Sequence, residues 1–105
     1  MKALAMIEVG VGNTAEQTAM AVEAAAASDE SRQMTVRSNA VIILERDGSL
    51  VRGGLKDHPP NPARGYAELP VQMIEQQSSL IDRLLAFAFD TLGLTSLVLR
   101  VYEQD

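Results

Sequence analysis

Hydrophobic and polar residues alternate at both ends of the chain, and a period of two is typical of strands. Near the start, the more apolar face of residues 2–9 would consist of Ala3, Ala5, Ile7 and Val9. Residues 94–103 alternate in the same way, with Leu97, Leu99 and Val101 on one side. We therefore expect a first strand at Lys2–Val9 and a last strand at Leu94–Glu103.

The strongest local signal lies in the middle of the chain, where Asp47-Gly48 separates two β-like runs. A strand is predicted from about Met34 to Glu45 and another from Ser49 to about Leu55. Glycine adopts a positive φ without a Cβ clash, so this pair of residues favours a hairpin turn.

The register of this hairpin depends on its loop length. A three-residue loop, Arg46-Asp47-Gly48, would pair Leu44 with Leu50 and Ile43 with Val51. A two-residue loop would set Glu45 opposite Leu50 instead. Apolar pairs across the strands favour the three-residue loop.

Two helices are predicted between these strands. The first begins at Asn13 or Thr14, where Thr14 and Gln17 form a capping box, and extends to about Ser28. The second runs from Pro70 to Leu92 and is closed by Gly93. Residues 56–69 contain three prolines and are expected to form a stiff loop.

The order strand, helix, strand, strand, helix, strand predicts an α+β fold. With right-handed crossovers it gives the ferredoxin-like βαββαβ arrangement, a four-stranded antiparallel sheet with two helices on one face. A Roadblock-like or another α+β layout is the alternative. The length of 105 residues predicts a single domain, 1–105.

Residues Ala40–Leu44 are apolar at every position, although a strand with one solvated face should alternate. We therefore expect a second copy of the chain, or another protein, to cover the free face of the sheet. This expectation is the main reason to predict a homodimer and a protein partner.

Composition excludes several classes of chemistry. The absence of Cys excludes disulfides, thiolate catalysis and Cys-ligated metals, and His58 is the only histidine. We expect no metal and no cofactor. No run reaches transmembrane length, and the start of the chain is too short and too charged for a signal sequence, so a cytoplasmic location without membrane contact is expected.

The net charge of −5 and the scarcity of aromatic residues argue against binding to nucleic acid. Residues 32–64 nevertheless contain six cations and three acids. A solvated hairpin surface is the favoured interpretation of this segment. A local anion or acidic-partner site, or nucleic-acid binding through the hairpin, is the alternative.

Residues 10–15, GVGNTA, match the pattern of a dinucleotide-binding loop, and Glu30 follows Gly10 at the appropriate distance. The chain is too short for two mononucleotide-binding halves, and a hairpin follows. Two glycines that turn a strand into a helix are the favoured interpretation, and binding of a simple anion at the helix start stays open.

Several polar residues that could bind a ligand or a partner lie in the hairpin, in the proline-rich loop after it and in the last strand. His58 and Arg64 would form either a ligand-binding lid, with His58 as acid or base, or an exposed polar loop. The exposed loop is favoured because no second catalytic partner is evident, and no catalytic residue is assigned. Likewise, Glu75, Asp82 and Asp90 favour a solvated helix face. The candidates for binding a ligand or a partner are His58, Arg64, Tyr66, Arg46, Arg52 and Arg100.

These observations favour a small, non-catalytic interaction or regulatory protein that homodimerises and binds a protein partner, for example as an inhibitor or regulator of a larger complex. The alternative is a small-molecule-binding or cofactor-independent enzyme domain of the dimeric ferredoxin-like type. Its pocket would be lined by His58, Arg64, Tyr66 and Arg100.

Overall fold

The computed structural model describes residues 2–27, 38, 40–53 and 63–104. These residues form an α+β structure with a five-stranded mixed sheet. The strands are β1 (Lys2–Gly10), β2 (Ala40–Leu44), β3 (Leu50–Gly53), β4 (Arg64–Pro70) and β5 (Ser96–Glu103). The helices are α1 (Ala15–Ala26), α2 (Val71–Gln76) and α3 (Leu80–Leu85), and α3 continues into a π-helix, Ala86–Thr91.

The strand order in the sheet is β1-β5-β4-β2-β3, which places β4 at the centre. The two outer pairs, β1 with β5 and β2 with β3, are antiparallel. The two inner pairs, β4 with β5 and β2 with β4, are parallel. The predicted ferredoxin-like fold, with its four-stranded antiparallel sheet, is therefore wrong.

The error arises at β4, which lies in the segment predicted to be a loop. Its residues alternate, since Gly65, Ala67 and Leu69 are buried and the residues between them are more exposed. The prolines that suggested a loop precede this alternation. Gly65 also lets β4 approach the core closely, because a Cβ atom there would lie 2.4 Å from Cδ1 of Leu94.

The predicted helix from Pro70 to Leu92 is also interrupted. Gln77 has extended backbone angles, φ −124° and ψ 92°, and it ends α2. Arg83 of α3 links this break to the hairpin turn, because its Nη1 donates a hydrogen bond of 2.8 Å to the carbonyl of Gly48 and its Nη2 donates one to Oε1 of Gln77. In the π-helix, the Leu92 amide donates to the carbonyl of Phe87, five residues earlier.

The local turn and cap predictions are confirmed. Leu44 pairs with Leu50 and Ile43 with Val51, and Gly48 has a φ of 87°. The side chains of Thr14 and Gln17 form the predicted capping box at α1. Gly93 has a φ of 68° after the π-helix. The predicted strand residues Met34–Arg37 and Asn39 lie outside the described residues.

The helices pack on one face of the sheet and form the core with it. The strands contribute mainly Ala5, Ile7, Val9, Ala40, Ile42, Ala67, Leu69, Leu97, Leu99 and Val101. The helices and the turn before β5 add Leu80, Ile81, Leu84, Leu85, Ala88 and Leu94. Among the described residues, no helix is long and apolar enough to cross a membrane.

Candidate functional site

The face of the sheet opposite the helices is here called the open face. Its side chains alternate along each strand with the buried core residues, and no described helix packs against it. It consists of Met6, Glu8, Val41, Ile43, Val51, Arg64, Tyr66, Glu68, Val98, Arg100 and Tyr102.

The charged side chains of the open face are arranged in two opposite-sign pairs. Arg64 of β4 forms an ion pair with Glu8 of β1, so the pair crosses over β5, which lies between these strands. Val98 of β5 stands in register between Glu8 and Tyr66 and is completely buried. The part of the open face around Val98, next to the Arg64–Glu8 ion pair, is therefore already shielded from water.

The second pair joins neighbouring strands. Nη1 of Arg100 lies 3.6 Å from Oε1 of Glu68, and the guanidinium carbon is 5.7 Å from the ring centroid of Tyr102. Nη1 is buried and has no hydrogen-bond partner among the residues that the structure describes. The aromatic ring adds a cation–π attraction to an ion pair that is too long for a direct hydrogen bond.

Tyr66 completes this cluster by donating a hydrogen bond of 2.5 Å from its hydroxyl group to Oε1 of Glu68. Burial, and then the adjacent Glu68 carboxylate, raise the pKa of Tyr66 to about 12, although Arg100 acts in the opposite direction. The phenol is therefore protonated at neutral pH. Because Oε1 already accepts from Tyr66 and faces Arg100, this arrangement suits recognition better than proton transfer.

The β2–β3 side of the open face is apolar. Ile43 and Val51 face each other in register, with exposed fractions of 43% and 38%. The side chain of Ile43 extends over Gly53, where a Cβ atom would lie only 2.7 Å from Cδ1 of Ile43. These two side chains give this part of the open face a small exposed apolar surface.

Two adjoining depressions lie across the polar and apolar parts of this face. The larger, of 440 Å³, is lined by residues that include Ile43, Tyr66 and Glu68. The smaller, of 270 Å³, includes Arg46 and Met73. Both are bordered by Leu44, Glu68 and Tyr102, so the Glu68 carboxylate lies where the two depressions meet.

The structure brings together some of the residues that the sequence singles out. Arg64, Tyr66 and Arg100 share the open face, and Arg46 borders the smaller depression. Arg52 pairs with Ile42 of the core, so it belongs to the other face of the sheet. His58 lies outside the described residues.

Glu8 and Glu68, which pair with two of the predicted arginines, were missed by the sequence analysis. For Glu68, the signal was the alternation of residues 64–70, which puts Arg64, Tyr66 and Glu68 on one side. For Glu8, the residue could be assigned to a strand face, but no sequence pattern places that strand two positions from β4.

The glycine loop before α1, residues 10–15, lacks the free amides and the parallel strands that a dinucleotide-binding site requires. Its amides bond within the chain: that of Gly10 donates to Oδ1 of Asn13, and that of Val11 to the carbonyl of Thr95. Strand β1 is antiparallel to its neighbour, whereas a dinucleotide loop joins parallel strands. A depression of 350 Å³ beside the loop includes Asp82 and Asp90, whose carboxylates oppose the binding of an anion.

The described part of the chain contains no cluster of three or more His, Asp or Glu side chains that could hold a metal ion. Comparison with known proteins finds no matching protein family, curated protein or solved structure. The open face, with its paired charges and exposed apolar residues, is therefore the candidate functional site on geometric grounds alone.

Proposed function

We propose that this chain is a small, non-catalytic interaction protein that homodimerises and binds a protein partner in a regulatory role. The observation that carries the proposal is the open face, which no described helix covers and which exposes the apolar residues Ile43 and Val51 beside two ion pairs. Sheets with one covered face normally present polar side chains to water on the other.

The apolar residues give such an interface a driving force. The side chains of Ile43 and Val51 are 43% and 38% exposed. Burying each of them under a second copy would contribute about 1 kcal/mol to the free energy of association. The two ion pairs add specificity rather than affinity, because each of these charges already has an opposite charge beside it within the same copy.

A second surface suits the protein partner. The depression beside the glycine loop combines the apolar side chains of Leu85 and Phe89 with the carboxylates of Asp82 and Asp90. Val11, at its border, is 65% exposed. A partner segment with apolar and basic residues would complement this surface.

The test of self-association is light scattering over a range of protein concentrations, with two matched substitutions of exposed apolar residues. Ile43→Arg places a charge on the open face, whereas Met20→Arg places one on α1, where Met20 is 64% exposed. We expect the wild type and Met20→Arg to dimerise and Ile43→Arg to remain monomeric. A wild type that stays monomeric at high micromolar concentration would contradict the proposal.

The second candidate is a small-molecule-binding domain, and the two depressions around Glu68 favour it. Tyr66 and Tyr102 would provide aromatic contacts, and Glu68 would accept a hydrogen bond from the ligand. A fragment screen by ligand-observed NMR tests this candidate. Fragments should bind the wild type and lose binding in Glu68→Ala, which has no side-chain acceptor; binding that is unchanged in Glu68→Ala would exclude this site.

A further inference from the structure

We infer that a second copy of the chain covers the open face, so that two sheets pack face to face with their helices pointing outward. This inference rests on the proposed self-association and specifies its geometry. Three observations support the assignment: the distribution of charge, the form of the β1 edge and the size of the face.

Charge separates the two sides of the molecule. On the open face, Glu8 and Glu68 are matched by Arg64 and Arg100. Among the described residues, the exposed carboxylates of the helical side outnumber its cations, Arg52 and Arg83; these carboxylates belong to Glu16, Glu23, Glu75, Asp82 and Asp90. Face-to-face packing brings two neutral surfaces together and keeps the acidic surfaces apart, whereas packing through the helices would bring the acids together.

The β1 edge of the described sheet is a poor template for pairing with another sheet. Strand β1 has an irregular register between Ala3 and Ala5, which is the position of a bulge. A bulge in an edge strand opposes edge-to-edge association.

The size of the face predicts a weak dimer. Strands spaced by about 4.8 Å, and a residue rise of about 3.4 Å along β5, give a face of about 500 Å². Two such faces bury at most about 1,000 Å², because Val98 on each is already fully buried, and this area is near the lower limit of specific interfaces. An interface of this size is typical of weak or transient complexes, so we expect the dimer to dissociate on dilution.

The absence of cysteine in the chain allows a direct test, because a single introduced cysteine can react only with its copy in another molecule. Ile43 lies on β2, next to the central strand β4, so a two-fold axis through the middle of the face brings both copies of residue 43 close together. Ala24, exposed on α1, is the matched control on the helical side. Packed sheets lie about 10 Å apart, so a bis-maleimide of about that reach is suitable.

At micromolar concentration, we expect Ile43→Cys to form a covalent dimer and Ala24→Cys to remain monomeric. If Ala24→Cys forms the cross-link, the face-to-face assignment is wrong. The same holds if neither variant cross-links while light scattering still shows a dimer. Neither outcome would contradict self-association itself. A wild type that is monomeric by light scattering would overturn both. Circular dichroism checks that the two variants retain the wild-type fold, and Val41→Cys on the same strand replaces Ile43→Cys if that variant does not fold.

Discussion

Gly65 offers the sharpest test of the central strand, since β4 is the element on which this sheet depends. A Cβ atom at residue 65 would lie 2.4 Å from Cδ1 of Leu94 and 3.3 Å from Cδ1 of Leu97. Both leucines are almost fully buried, with exposed fractions of 5% and 0%. Neither side chain can move into solvent, so Gly65→Ala must displace β4 or repack the core.

The expected loss of stability follows from the steric overlap between this Cβ atom and Leu94. Overpacking a core by one methyl group typically costs about 1–3 kcal/mol, and the loss of glycine entropy in the unfolded chain returns about 0.4–1 kcal/mol. We therefore expect Gly65→Ala to lower the free energy of unfolding by about 1 kcal/mol, which at a urea m-value of about 1–2 kcal/mol/M shifts the midpoint by about 0.5–1 M.

Two other glycines provide graded controls in the same urea experiment. Gly10→Ala meets no atom closer than 3.7 Å, so its free energy of unfolding should be unchanged or raised by up to about 1 kcal/mol. Gly53→Ala meets only the flexible end of Ile43, which is 43% exposed and can turn away. If Gly65→Ala unfolded at the same urea concentration as Gly10→Ala, the packing of β4 against Leu94 would be wrong.

Two further predictions concern the open face and the helix break. Because the pKa of Tyr66 is raised to about 12, its protonated form stabilises the folded state, and this contribution is complete below pH 10 and decreases as pH rises from about 10 to 12. Tyrosinate absorbance should show this late titration in the wild type, an earlier one in Glu68→Gln and none from residue 66 in Tyr66→Phe; an unchanged titration in Glu68→Gln would refute the role of the carboxylate. Arg83→Ala removes the hydrogen bonds to Gly48 and Gln77 and should lower the free energy of unfolding by about 1–2 kcal/mol, measured by urea denaturation. Arg52→Ala, at an exposed position, is its control and should change this free energy by less than about 0.5 kcal/mol.

Local chemistry could be predicted from the sequence, but long-range pairing could not. The hairpin register depends on residues 43–51 alone, and the cap of α1 on Thr14 and Gln17, so both predictions were confirmed. Strand β4 was missed because the preceding prolines suggested a loop. Its parallel partners, β2 and β5, are specified by packing between distant segments such as Gly65 and Leu97, which no local pattern encodes.

The candidate site was predicted in part for the same reason. The sequence analysis proposed three polar residues that now lie together on one face of the sheet as candidates for binding a ligand or a partner: Arg64, Tyr66 and Arg100. Their assembly with Glu8 and Glu68 depends on β5 lying between β1 and β4, which is a property of the topology. The apolar run of β2, of which only Ile43 is exposed, could be recognised without the topology, and a partner that covers it stays a prediction.

The position of β5 also has a consequence for how fast this sheet can form. Strand β5 lies between β1 and β4, and β1 has no other neighbour in the described sheet. Strand β1 therefore remains unpaired until β5 joins the sheet. We expect folding to be comparatively slow, because the pairing of Lys2 with Glu103 brings together residues that are far apart in sequence.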